Sequence, residues 1–269
     1  MKIILNKKTL IKFIQKEKNL GFVPTMGALH PGHISLIKNS ISQCNKTIVS
    51  IFVNKPQFNK KSDFKKYPRL LKKDIRIVRK LNVNYLYLPT TKQIYPGGKN
   101  KKIKISPFEK KLCGKFRPGH FKAVVDVVDR LIKIIKPKKI YLGEKDMQQL
   151  IIIDNFIKKN NIDTKVISCK TIREKNGVAC SSRNVLLSPK EKVIAGKIYK
   201  LLKNTKNDMI NNKVDLKSIK RKICKLGITK IDYIKILNIN KITKPYGKNN
   251  MYKIFIAYYL RNTRLIDNI

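Results

Sequence analysis

From residue 20 onward, short apolar runs alternate with amphipathic stretches. The run LGFVPTM (20–26) is short and almost wholly apolar, as expected of a strand covered on both faces. Ile34, Ile37, Ile41 and Cys44 then recur at spacings of three and four, which predicts a helix over 33–44 with one buried stripe. KTIVSIFV (46–53) is the next strand. Leu71, Ile75, Val78 and Leu81 mark another helical stripe, followed by a strand at VNYLYLP (83–89). GGKNKK (97–102) reads as a turn between short strands. Phe121, Val124, Val125, Val128, Ile132 and Ile135 predict a long helix that stops before Pro137, whose ring cannot continue it. A strand at KKIYLG (138–143), a helix over 146–160 and a strand at TKVISCK (164–170) complete the alternation.

Strands alternating with helices imply a parallel sheet with helices on both faces, an α/β fold of the Rossmann-like, doubly wound kind. After residue 184 the pattern changes. Helical periodicity over 189–204 and 215–226 precedes strand-like runs at 230–237 and 251–260, which predicts a smaller α+β domain. The expected organisation is a first domain over 1–173, a polar connecting loop over 174–183 and a second domain over 184–269.

Composition narrows the class. At 269 residues and 42% hydrophobic content the chain can bury a core, which excludes a disordered or fibrous protein. Lysines break every apolar run near the N-terminus, and no uninterrupted apolar span reaches membrane length, so a soluble cytoplasmic protein is expected. The five cysteines lie far apart without a CxxC pair, which fits reduced thiols better than a disulfide framework or a zinc ribbon. The net charge of +46 raises the question of a nucleic-acid partner. The lysines are spread over the whole chain, however, and accompany an excess of Ile and Asn. Codons for all three are rich in A and T, so compositional drift is the expected source of the charge, with selection for a polyanion partner as the alternative, and no specific nucleic-acid partner is expected.

Four polar clusters carry candidate chemistry. The first strand ends at Thr25-Met26-Gly27 and the next helix opens after Pro31-Gly32, with His30 and His33 at the junction. In a doubly wound sheet, ligands bind outside the carboxyl ends of the strands, where helix N-termini offer unpaired N–H groups to phosphate. Two histidines at that junction can add ring donors to the same anion. HxxH alone also fits a capping pair or two of the ligands of a zinc site, although His120 is the only further histidine. The second cluster, Gly143-Glu144-Lys145-Asp146 with Gln149 beyond it, lies where another strand gives way to a helix. Lys145 there can reach an anion and Gln149 a hydroxyl or carboxylate. Cys180, Ser181, Ser182 and Arg183 form a third cluster suited to clamping phosphate, and Gln57 beyond the strand 46–53 a fourth.

Several motifs together carry a resemblance. VPTMGALHPGH (23–33), SIFVN (50–54), QF (57–58), YPR (67–69), IYP (94–96), RPGHF (117–121), GEKD followed by QQL (143–150), SSRN (181–184) and RLIDN (264–268) span nearly the whole chain. In this set the chain resembles the pantothenate synthetases (pantoate–β-alanine ligases) of the HxGH nucleotidyltransferase superfamily. HxGH alone is shared by many adenylyl and cytidylyl transferases; the combination is specific.

The resemblance implies a two-step reaction in which ATP activates pantoate as pantoyl adenylate and β-alanine displaces AMP to give pantothenate. By motif position it assigns ATP contacts to Met26, Gly27, Ala28, Leu29, His30, Pro31, Gly32 and His33, to Gly143, Glu144, Lys145 and Asp146, to Ile172 near the adenine, and to Cys180, Ser181, Ser182 and Arg183. His33 matches the position of a proton donor, His30 and Lys145 stabilise phosphate charge, and Ser181, Ser182 and Arg183 grip the triphosphate. Gln57 and Gln149 would hold pantoate and β-alanine. Mg2+, a homodimer and a C-terminal domain acting as a lid are further implications. The chain departs from the family at Lys55-Pro56, where the proline has moved by one position. It also carries Lys73-Asp74 in place of an acidic pair, which leaves Asp74 alone for a role in holding metal, and Cys180 replaces a Leu or Met.

Overall fold

A computed structural model describes residues 1–208, 215–228, 230–239 and 252–269. These divide into two compact units, residues Met1–Thr171 and Ile172–Ile269.

The first unit is built on six strands: β1 (Lys2–Ile4), β2 (Leu20–Thr25), β3 (Lys46–Ile51), β4 (Tyr85–Tyr87), β5 (Lys139–Gly143) and β6 (Lys165–Cys169). Their order is β1-β4-β3-β2-β5-β6 and every pairing is parallel. Neighbouring side chains along a strand point to opposite faces, yet Phe22 and Val23, Ile48 and Val49, and Ile140 and Tyr141 are all fully buried. Helices therefore cover both faces, which is why these strands read as unbroken apolar runs. The chain leaves β2 toward β3 and β4 on one side, then returns to lay β5 on the other. The direction of winding thus reverses between β2 and β5, and at that point a crevice opens outside the carboxyl ends of the strands.

The helix Pro31–Gln43 follows β2 and packs back on it. Pro31 begins it at a position where a missing N–H costs nothing. Gly21 in β2 permits the close approach: a Cβ there would collide with Ser40 Oγ and come within 2.9 Å of Cys44 Sγ. Ser40 is itself buried and bonds Thr47 Oγ1 at 2.8 Å, tying the helix to β3. The helix His120–Ile135 carries two buried aspartates on its inner surface. Asp126 pairs with Arg130 at 2.6 Å and Asp129 with Lys133 at 2.7 Å, each one turn away. Lys136, left-handed with φ 50°, ends this helix beside Pro137.

Two local expectations change, and one stretch without a sequence assignment gains structure. Residues 97–102 are not flanked by strands; the helix Thr91–Ile94 precedes them and the 3-10 turn Pro107–Lys110 follows. The N-terminal stretch resolves into edge strand β1 and the helix Lys7–Ile14, separated by Asn6, whose side chain accepts from the Lys8 amide. The strand expected over 83–89 shortens to Tyr85–Tyr87, because Val83 N–H still bonds Val78 O in the preceding helix.

In the second unit, the helices Pro189–Asp208 and Leu216–Lys225 pack on an antiparallel sheet of β7 (Lys230–Asn238), β8 (Tyr252–Leu260) and β9 (Thr263–Asn268), in that order. Residue 251, expected to open β8, lies outside the described residues. Ile198, Leu202, Ile223, Ile254, Ile256 and Tyr258 form its core, and Val178 belongs to the same core. The loop read as a connector is therefore built into this unit. Arg173 makes a paired contact with Asp267 at 2.7 and 2.9 Å and lies over the Tyr199 ring, while Cys180 N–H bonds Ile172 O. The break falls between Thr171 and Ile172 rather than after residue 173.

The Gly21 contact yields a measurable expectation. Gly21→Ala should lower the free energy of unfolding by about 1–3 kcal/mol, as overpacking at a close strand–helix crossing does. Urea denaturation at neutral pH checks this, and an unchanged midpoint would mean that the helix has room to retreat.

Candidate active site

The turn from β2 to the helix Pro31–Gln43 is unusual in its backbone. Gly27 (φ 77°) and Ala28 (φ 50°) are both left-handed, a conformation that is uncommon and costly for a non-glycine residue. Thr25 Oγ1 donates to Ser50 O at 2.8 Å and accepts the Gly27 N–H at 3.2 Å. The N–H groups of Ala28 and Leu29 donate to the two carboxylate oxygens of Asp74, each at 2.8 Å. Asp74 comes from the first turn of the helix Leu71–Lys80 and is 1% exposed.

His30 is the N-cap of the helix Pro31–Gln43. Its Nδ1 accepts the Gly32 N–H at 3.1 Å. In the neutral ring the proton therefore sits on Nε2, which leaves Nε2–H as an outward donor. The ring lies 4.0 Å from that of His33, tilted by 41°. The Nδ1 of His33 is buried and has no hydrogen-bond partner among the described residues. A buried polar atom without a partner costs free energy unless a water or a ligand completes it.

Lys145 reaches the same place from the other side of the switch point. β5 ends at Gly143, and the 3-10 turn Glu144–Asp146 carries Lys145 to the crevice, with Asp146 at 3.6 Å. Burial, and next the Lys145 ammonium, pushes His30 down to about 4 from its ordinary 6.5, against the opposing pull of Asp146. His33 is held well below its usual range by burial, by His30 and by Lys145. Both imidazoles are thus neutral at pH 7, and Lys145 supplies the cationic charge beside them.

Gln57 occupies the 3-10 turn Lys55–Gln57 beyond β3, and the displaced Pro56 lies within that turn. Its side chain accepts from Asn54 Nδ2 at 3.1 Å and donates to Met26 Sδ at 2.9 Å. Asn54 is buried and also accepts from Tyr95 Oη at 2.9 Å. Below Gln57, Arg117 donates to His120 Nε2 at 3.0 Å. A guanidinium can only donate, so Nδ1–H of His120 donates to Gln57 O at 2.8 Å. Of the adjacent glutamines on the helix Met147–Lys159, Gln148 is used up structurally: it accepts from Cys113 N–H and donates to Phe108 O and Lys111 O. Gln149, half-buried, has no such partners among the described residues.

His30, His33 and Lys145 are thus brought together, and Met26 and Gln57 touch each other. Ile172, Cys180, Ser181, Ser182 and Arg183 belong to the second unit, where Ser181 Oγ caps a 3-10 turn by accepting the Arg183 N–H at 3.3 Å. Sequence reasoning missed the part played by Asp74, since its partners lie 45 and 46 residues away. It also left Asn54, Tyr95 and the Arg117–His120 pair without roles, although SIFVN, IYP and RPGHF contain them.

Neutral donors and one lysine at the reversal point of a parallel sheet define a nucleotide-binding α/β enzyme. A family model described as pantoate-beta-alanine ligase matches residues 2–269. The pantothenate synthetase of Flavobacterium psychrophilum is 40% identical, with 99% of each chain covered. Two solved structures are similar over 100% of this chain. The pantothenate synthetase of Thermus thermophilus matches with a TM-score of 0.92 at 29% identity over 99% of its chain. The pantoate-beta-alanine ligase of Francisella tularensis, complexed with beta-gamma ATP and beta-alanine, matches with 0.86 at 39% identity over 97% of its chain. The chain belongs to the pantoate–β-alanine ligase family.

The lowered histidines make stability pH-dependent. In the unfolded chain His30 takes up a proton near its ordinary 6.5, whereas in the folded chain it resists until about 4. Between those values the unfolded state holds more protons, so stability is full above about 6.5 and is lost as the pH falls toward 4. For His30 the loss is on the order of 3 kcal/mol. Urea unfolding at pH 7 and pH 5 should show this fall, and His30→Gln should reduce it, with His33 supplying the remainder.

Proposed function

We infer that this chain is the ATP-dependent ligase that condenses pantoate with β-alanine through a pantoyl-adenylate intermediate, giving pantothenate, AMP and pyrophosphate. The observation that carries this reading is the convergence of His30, His33 and Lys145 at the switch point between β2 and β5. In the first step a pantoate carboxylate oxygen attacks the α-phosphorus of ATP, the bond to the β-phosphate bridging oxygen breaks, and pyrophosphate leaves. Charge grows on the phosphate oxygens during this transfer, and donors already oriented in a cleft stabilise it without reorganising. Nε2–H of His30 suits that task. His33, the position that the resemblance marks as proton donor, is neutral here and offers a ring N–H as a hydrogen-bond donor, and Lys145 binds the phosphates as a point charge.

In the second step the free amine of β-alanine attacks the acyl carbon, AMP leaves with the electrons of the C–O bond, and the amine gives up a proton to water. Gln57 and Gln149 hold the acid substrates. The rigid anchoring of Gln57 through Asn54 and His120 supports this part, because a fixed amide orients a carboxylate at small entropic cost. Met26, Gly27, Ala28, Leu29, Pro31 and Gly32 line the nucleotide's approach, with Gly143, Glu144 and Asp146 opposite. Ile172, Cys180, Ser181, Ser182 and Arg183 are further ATP-binding residues of this reading.

Mg2+ enters this scheme carried by the triphosphate, as is common for an ion that keeps much of its water. Asp74 is poorly placed for its coordination, because it is 1% exposed and each of its oxygens already accepts a backbone amide. The described residues contain no group of three His, Cys, Asp or Glu placed to hold an ion. The reading also includes a cytoplasmic homodimer, and sedimentation velocity tests the dimer directly. Among the described residues no helix is long and apolar enough to cross a membrane.

Pyrophosphate–ATP exchange should require pantoate and Mg2+ but not β-alanine. Exchange supported only by a different acid would overturn the assignment. Lys145→Ala and His33→Ala should each slow adenylation on the order of 100-fold, as loss of a transition-state donor does elsewhere. A two-fold change would make those residues bystanders.

A further inference from the structure

Asp74 is a carboxylate with 1% exposure that makes no ion pair among the described residues. Its two oxygens are taken by two consecutive backbone N–H groups, those of Ala28 and Leu29, across 46 and 45 residues of sequence. Successive N–H groups that turn to one side form a concave anion-binding nest. Here the left-handed Gly27 and Ala28 create that turn, and a side chain of the protein fills it. The fit is tight: a Cβ on Gly27 would stand 3.0 Å from Asp74 Oδ2. Ala28 at φ 50° is a conformation that persists only where surrounding groups over-determine it. The residue that follows this clamp is His30, which caps the next helix and packs its ring on His33.

We propose that Asp74 is a positioning residue for adenylation: it locks the Gly27–Leu29 turn so that the imidazoles of His30 and His33 face the nucleotide phosphates, and it acts through those histidines rather than through a metal ion. The proposal rests on the ligase reading for its chemistry, but the clamp itself can be observed without substrate.

The substitution Asp74→Asn keeps the volume and one accepting oxygen but points an NH2 group at the second amide. Three measurements on the full chain read its effect. Thermal unfolding reports the folded fraction. The chain has three histidines, so the imidazole Cε1–H signals in proton NMR can be followed individually. Pantoate-dependent pyrophosphate exchange is then measured against ATP and against Mg2+. The expected result is a folded variant in which the His30 and His33 signals move and that of His120 does not. Its exchange kcat should fall about 10-fold or more, with half-saturating Mg2+ unchanged.

Restoration of the rate by excess Mg2+ would make Asp74 a metal ligand and overturn the proposal. A rate that falls only with the folded fraction, or imidazole signals that stay in place, would overturn it equally. Should Asp74→Asn not fold, Gly27→Ala displaces the carboxylate from the other side and should move the same two histidine signals; static signals there reject the clamp. Wild-type protein without pantoate-dependent exchange would reject the ligase reading instead, leaving the NMR result to decide on the clamp alone.

Discussion

Parallel strands cannot be joined by a tight turn, and the site described above depends on that constraint. Each connection must cross the sheet, and each crossover delivers the chain to the carboxyl edge before it turns into the covering layer. Because β2 lies inside the sheet with β3 on one side and β5 on the other, the loops that follow β2 and β5 diverge to opposite faces. The crevice between them is a product of winding order. What the particular residues add is its lining: histidines from the cap and first turn of the helix after β2, and a lysine from the turn after β5. Gly21 matters here although it never meets a ligand, because it sets how closely the helix bearing His33 lies on the sheet.

The electrostatics of the crevice follow from burial. Three protonated groups packed together would repel one another and would need a large desolvation energy. Keeping both imidazoles neutral leaves one cation and two donors. The donors can meet developing negative charge without first being deprotonated or reoriented. The His30 tautomer is settled before any ligand arrives, since the Gly32 amide occupies Nδ1. In a site arranged in this way the work of orienting the donors is completed during folding.

Much of this was legible in the chain. The runs at 20–26, 46–53 and 138–143 announced β2, β3 and β5 because burial on both faces leaves no polar alternation to confuse. HPGH stood out because a cap, a proline at the helix start and two ring donors coincide. Interactions between distant segments were harder to see. Nothing around Asp74 shows that its partners are amides near residue 28, and Lys73 beside it invites comparison with an acidic pair instead. GGKNKK has a turn's composition without strands to join, β1 is only three residues long, and β9 is an edge strand whose polar positions weaken the signal. The unit boundary was blurred by residues 173–184, polar in composition yet held by Arg173–Asp267 and by Val178 in the core.

The buried aspartates of the helix His120–Ile135 have an evolutionary consequence. This chain carries 62 basic residues against 16 acidic ones, as expected of a gene under steady pressure to write lysine. Acids on open surface are replaced under such pressure at little cost. Asp126, like Asp232 facing Arg264 and Asp267 facing Arg173, cannot be exchanged without leaving a largely buried guanidinium without its carboxylate. In a chain with so few acids, these three carboxylates mark positions where a largely buried guanidinium depends on its partner.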